Sequence, residues 1–140
     1  EFTPVTVLPN CLQMVNRLST EPGVEVIALG GKYHRGFGGF FGLQCEQVAS
    51  RYIVDVAVMS STTIQGVSLF TQEEQVVRMK RVMLGIAKKS VLLVDSSKFT
   101  YSALNHIADL SDFDHVIISR DTDADTLKSL RSAGIAFDLA

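Results

Sequence analysis

Several functional classes leave no mark on this sequence, and each absence narrows what remains. Thirteen Lys and Arg stand against fifteen Asp and Glu, a net charge of -2, so the chain has no cationic excess to meet a phosphate backbone. By itself it is expected to bind nucleic acid poorly. The two cysteines, Cys11 and Cys45, form no Cys-x-x-Cys pair and no signal-peptide pattern accompanies them, which removes the support for a disulfide framework or a structural zinc. A reducing cytoplasm is the expected setting. The three histidines, His34, His106 and His115, share no metal-ligand spacing, so no metal site is expected. The longest apolar runs, such as Val91 to Val94, are far too short to cross a bilayer, and no lipidation signal is present. No membrane partner is expected. A Gly-x-Ser-x-Gly elbow, a Walker loop and a zincin pair are all missing, so nothing announces an enzyme and no cofactor is expected.

What is there reads as one α/β domain. A length of 140 residues with 46% apolar content suits a single buried core over 1–140, with no repeat, linker or internal boundary. Strand-length runs rich in Val and Ile recur at Val5 to Leu8, Val24 to Leu29, Val54 to Met59, Val91 to Val94, Val116 to Ile118 and Ile135 to Leu139. Their near-continuous hydrophobicity predicts strands covered on both faces. Helices are expected at Cys11 to Ser19, Leu43 to Arg51, Gln72 to Lys88, Ser102 to Leu110 and Asp125 to Ala133. The third carries Val76, Met79, Met83 and Ile86 as one stripe, with Thr71 and Glu74 as a capping box. Strand and helix alternating in this way predict a doubly wound, mostly parallel sheet with helices on both faces. The chain opens on a strand after Glu1 to Pro4 alone, which reads as a fragment without a preceding element of the sheet.

The strand ends collect small and polar residues: Asn10 after the first, Gly30-Gly31-Lys32 after the second, Ser60-Ser61-Thr62-Thr63 after the third and Asp95-Ser96-Ser97-Lys98 after the fourth. Hydroxyls, glycine amides and a lysine at one sheet edge make a cradle for a polyol bearing phosphate. Each piece also has an ordinary structural role. Gly30-Gly31 serves as a turn, Asp95 as a helix cap, Lys98 as a solvated cation, and Glu73 and Glu74 as partners of a helix dipole. Arg78, Lys80 and Arg81 read as a solvated helix face. The glycine-rich stretch Gly30 to Gly42, with Tyr33, His34, Arg35 and Phe37, reads as a mobile loop suited to a lid or a subunit contact.

Taken in order, Val5-Thr6-Val7-Leu8-Pro9-Asn10, Ile27 to Gly31, Phe41-Gly42, Asp55 to Met59, Gly66-Val67-Ser68, Glu74 to Met83 and Leu92 to Phe99 resemble the C-terminal domain of DeoR-type bacterial regulators of sugar metabolism. Asp95-Ser96-Ser97-Lys98-Phe99 is the most specific part. The resemblance implies a sensor for a phosphorylated sugar effector, similar in fold to ribose-phosphate isomerases, glucosamine-phosphate deaminases and CoA transferases. It also implies a repressor that binds operator DNA only through an N-terminal winged helix-turn-helix absent from this sequence, and that forms homo-oligomers. By the same resemblance, Asn10, Gly31, Glu74 and Lys98 line the effector pocket and Asp55 and Asp95 shape the strand ends. Gly30 and Ser60 complete the candidate set. The chain departs from the family at Pro9, where a threonine is usual, and at Ser60 to Ile64, where a glycine-containing turn is usual. A further family strand ending in a Gly-Thr-Thr-like loop is missing upstream. Two other readings stay open: an aldose-ketose isomerase with Glu74 as base, and an oligomerisation module with a vestigial pocket, supported by the apolar loop Phe37 to Phe41.

Overall fold

The computed structural model describes residues 4–140, so most of the lead Glu1 to Pro4 lies outside the described residues. The chain divides into two compact units, Glu1–Tyr52 and Ile53–Ala140.

In the first unit, β1 (Val5–Val7) and β2 (Val24–Val26) pair in parallel across the crossover helix α1 (Leu12–Leu18). Both strands stop earlier than their apolar runs. The stretch expected to be a mobile loop is instead an antiparallel hairpin, β3 (Lys32–His34) with β4 (Gly39–Phe41), followed by α2 (Leu43–Ala49). Aromatic pairing explains the difference. Tyr33 packs edge-on against Phe40 at 5.5 Å, and Phe37 against Phe41 at 6.0 Å, so the glycines of the turn are flanked by rings that hold the strands together. Cys45 is buried beneath the hairpin, where burial pushes its thiol up to about 11. It packs as a small hydrophobe rather than acting as a nucleophile.

The second unit holds the parallel sheet. Its strands are β5 (Val54–Met59), β8 (Ala87–Val94), β10 (His115–Ile118) and β11 (Asp138–Leu139), all parallel, in the order β11-β10-β8-β5. Between β5 and β8 run the hairpin β6 (Thr63–Gln65) and β7 (Ser68–Thr71) and the helix α3 (Glu74–Ile86). Between β10 and β11 lies α4 (Ala124–Ser132). Each new strand is added on the same side of the last, so right-handed crossovers place α3 and α4 on one face. The core bears this out: Val77 of α3 and Leu127 and Leu130 of α4 pack with Ala57, Met59, Leu92, Val94, Val116 and Ile118. Within this unit both α3 and α4 therefore lie on one face of the sheet. The opposite face of β5 and β8 carries Val58, 57% exposed, together with Val56 and Leu93.

Three other expectations fail for local reasons. Ser102 to Leu110 does not form a helix; β9 (Asn105–Asp109) pairs antiparallel with β7 and completes a three-stranded sheet, β6-β7-β9. The edge of the β6-β7 hairpin supplies backbone partners that outweigh a weak helical pattern, and Leu104, a member of that pattern, is 77% exposed. Thr71 does not cap α3, because its hydroxyl is taken by Thr62 at 3.2 Å and Glu73 occupies the capping position without a side-chain bond. Finally, α3 gives way to β8 at Ala87 without a loop, so Lys88 stands in the strand.

Candidate functional site

The carboxyl ends of β5, β8 and β10 converge on one edge of the parallel sheet. Directly after β8, Asp95 caps a 3-10 turn over Ser96–Phe99: its carboxylate accepts from the Ser97 amide at 2.9 Å and from the Ser97 hydroxyl. The Ser97 hydroxyl and amide hold the Asp95 carboxyl below the usual carboxylate range, with the Lys98 charge adding to the effect. The turn directs the Lys98 ammonium back to 3.6 Å from Asp95, with the lysine side chain 28% exposed. From beneath, the fully buried Thr63 fixes the same turn, its hydroxyl lying 3.0 Å from the Lys98 carbonyl and 2.6 Å from that of Tyr101. Lys98 therefore stands on a braced turn.

A second cation reaches this edge from the helix. Lys80 of α3 is half-buried and donates to the backbone carbonyl of Ser60, just past β5. Burial and then the neighbouring Lys98 charge push its ammonium down to about 8. Among the described residues no carboxylate pairs with it. After β10, the Ser119 hydroxyl and the Ser96 hydroxyl both donate to Asp121, at 2.5 and 2.9 Å, and hold its carboxyl below the usual range. Both carboxylates at the edge are thus engaged by hydroxyls.

Of the candidates on this unit, the fold brings Ser60, Asp95 and Lys98 to the carboxyl edge. Glu74 opens α3 but is 79% exposed and paired with Arg78 at 3.2 Å. Asp55 lies at the amino end of β5, paired with Lys88 at 2.7 Å. Five steps along the strand separate it from Ser60, roughly 16 Å at about 3.3 Å per step, so it does not join the cluster. The solvated-face reading of α3 is corrected at Lys80, which turns inward; Arg81 stays exposed while its guanidinium donates to the carbonyls of His106 and Ile107, both at 3.1 Å. Lys80 was legible: it follows Val76 by four residues and precedes Met83 by three, which puts it on the buried stripe.

A cleft of about 530 Å³ opens at the other end of the sheet, lined by Arg81, Leu84, Ser90, Asp112 and Asp114 among others. Its polar groups already have partners, since Asp114 accepts from the Ser90 amide and hydroxyl. They are not offered to a ligand.

On the first unit, Asn10 braces the hairpin, its side chain donating to the Phe40 carbonyl at 3.1 Å and its own carbonyl accepting from the Phe40 amide at 2.7 Å. Gly30 and Gly31 both adopt positive φ, +69° and +109°. At Gly31 the need for glycine is double, because a Cβ would also sit 2.8 Å from the Phe41 carbonyl oxygen.

The comparisons with known proteins agree on one assignment. A model of the DeoR C terminal sensor domain matches residues 1–120. A protein of Escherichia coli O157:H7 named for repression of the aga operon is 34% identical over 138 residues, covering 96% of this chain and 51% of the relative. The L-fucose operon activator of Haemophilus influenzae is 30% identical, with 84% of this chain and 47% of the relative covered. The deoxyribose operon repressor of Escherichia coli K12 is 28% identical, with 81% and 46% covered. The chain thus spans about half the length of the curated relatives it matches. No described helix is long and apolar enough to cross a membrane. With the family model covering most of its length and the relatives named as operon regulators, the chain belongs to the DeoR C-terminal sensor domain family.

Proposed function

We propose that this chain is the effector-sensing part of a cytoplasmic transcriptional regulator, binding a phosphorylated sugar and thereby biasing operator binding by a separate helix-turn-helix domain. The ligand acts by preferring one of two states of the whole protein, which shifts the population between them. Family membership and relatives named for the fucose and deoxyribose operons support the sugar. The observation that carries the phosphate is Lys98, held by a pinned turn at the carboxyl end of β8, where open α/β sheets bind their ligands. Ser60 and Asp95 lie at the same edge as candidate contacts for hydroxyls. On the first unit Asn10, Gly30 and Gly31 are the candidates for ligand contact. The isomerase alternative needs a carboxylate base beside the sugar carbons, and Glu74 instead opens α3 as an exposed side chain paired with Arg78.

The test is a thermal-shift screen of sugar phosphates beside the matching unphosphorylated sugars. A ligand at a hundred times its dissociation constant adds about 2.7 kcal/mol of stability. In Lys98→Ala, loss of a charge-assisted contact costs roughly 1.5 to 3 kcal/mol of binding, and the preference for the phosphorylated form collapses. Unchanged preference in a folded Lys98→Ala protein contradicts the reading.

A further inference from the structure

We propose that Lys80 is a second cation of the anion seat, closing together with Lys98 on one doubly charged oxyanion of the phosphate-monoester class. This inference rests on the effector reading above and assigns the site's charge requirement to a particular pair.

Three observations carry it. First, the two lysines come from different elements yet reach one edge: the Lys80 ammonium donates to the Ser60 carbonyl just past β5, and Lys98 stands on the turn just past β8, the strand paired beside β5. Folding has brought like charges together, which costs free energy that a bound anion returns. Secondly, both are anchored. Lys80 extends from a helix whose neighbouring residues Val76 and Met79 are buried, and its ammonium touches the Ser60 carbonyl; Lys98 rides on the turn braced by Thr63. Thirdly, the nearby carboxylates offset the pair only in part. Asp95 lies 3.6 Å from Lys98 but is fixed by the Ser97 amide and hydroxyl, and Asp121 is held by Ser96 and Ser119. A half-buried ammonium with a neutral carbonyl as its acceptor and a second ammonium beside it leaves donor capacity that a multidentate anion satisfies. One positive charge is offset by Asp95 in part, and the other pairs with no carboxylate among the described residues. A dianion therefore suits the seat better than a carboxylate does.

The experiment titrates inorganic phosphate, sulfate and acetate into the whole chain by calorimetry, in the parent protein and in Lys80→Met, Lys80→Arg and Lys98→Ala. The expected result is that phosphate and sulfate bind at least tenfold more tightly than acetate. Lys80→Met should lose tenfold or more in phosphate affinity, whereas Lys80→Arg should stay within about threefold because it keeps the charge. Phosphate binding equal to the parent's in a folded Lys80→Met protein overturns the proposal. If Lys80→Met does not fold, the ammonium of Lys80 is followed directly by NMR after methylation of the lysines with carbon-13. A shift on adding phosphate supports the pair, and no shift overturns it. The two readings fail separately. Phosphate binding lost in Lys98→Ala but kept in Lys80→Met removes Lys80 from the seat and leaves the effector reading standing. Loss in both variants, with no sugar phosphate stabilising the parent, supports the pair and overturns the sugar.

Discussion

At the scale of the residue, two positions show how closely conformation and charge are set. Gly31 combines a φ of +109° with a carbonyl 2.8 Å from where a Cβ would stand. Gly31→Ala should therefore destabilise the chain by about 1–3 kcal/mol, from strain at a positive φ and displacement of the Phe41 backbone. Urea unfolding measures this, and a variant as stable as the parent would show that the hairpin yields freely. Lys80 makes a prediction in pH. Its pKa is lowered to about 8 from an ordinary 10.5, so the folded chain disfavours the charged form and unfolding takes up a proton between those values. Its penalty is fully present below about pH 8 and fades as pH rises towards 10.5, so its contribution makes stability climb across that window. Phosphate affinity should do the reverse and fall above about pH 8, as Lys80 loses the charge the anion needs. The charged group that acts on it is Lys98, itself beside Asp95. On its own helix Arg78 is turned to Glu74 and Arg81 to the β9 carbonyls, while Lys88 and Asp55 pair at the far end of β8 and β5. Titration of the methylated lysine, with and without phosphate, reads both effects. A Lys80 that titrates with the ordinary lysines contradicts them.

At the scale of the element, the chain's most consequential joint is the one between α3 and the antiparallel sheet. Arg81 donates to two successive β9 carbonyls at an edge that water would otherwise serve. Arg81→Met keeps the aliphatic stem and removes these bonds, so it should cost about 1–3 kcal/mol of stability while leaving phosphate binding within twofold of the parent. A variant that loses phosphate binding but keeps its stability would mean that Arg81, not Lys80, serves the anion. This joint also shows where reading from sequence stops. The long helix was legible because Val76, Met79 and Met83 repeat at its period, and the parallel strands because short apolar runs, Val91 to Val94 in β8 and Val116 to Ile118 in β10, mark them, with Val54 to Met59 apolar apart from Asp55. Asn105–Asp109 was not, since five residues of mixed polarity take their conformation from the edge of β7 rather than from themselves. The β3-β4 hairpin was hidden for a related reason. Its glycines signal mobility, whereas the rings of Tyr33, Phe37, Phe40 and Phe41 supply the order only once the strands have met. Lys98 and Asp95 were visible in a contiguous string. Thr63 falls in the polar string after β5 and Lys80 on the stripe of α3, whereas Asp121, which accepts from Ser96 and Ser119, lies far away in sequence with nothing local to mark it as a neighbour.

At the scale of the whole molecule, the family is shown and the regulation follows from it as a proposal. With a net charge of -2 and no basic stripe, the chain by itself should retard operator DNA no better than weakly at physiological salt, which a gel-shift titration checks. Tight, sequence-specific retardation by this chain would move DNA recognition into the sensor and contradict the division of labour. Self-association is the matching expectation, because symmetric regulators read paired half-sites, and light scattering on the intact regulator tests it. The central claim is that a phosphorylated sugar is held at the carboxyl edge of β5 and β8 through Lys98. The most direct measurement compares the affinity of one stabilising sugar phosphate with that of its unphosphorylated sugar, by calorimetry, in the parent and in Lys98→Ala. The account predicts a preference for the phosphorylated form of tenfold or more in the parent, reduced to within about threefold in the variant with the fold unchanged by circular dichroism. An undiminished preference in Lys98→Ala would place the phosphate elsewhere and contradict the account.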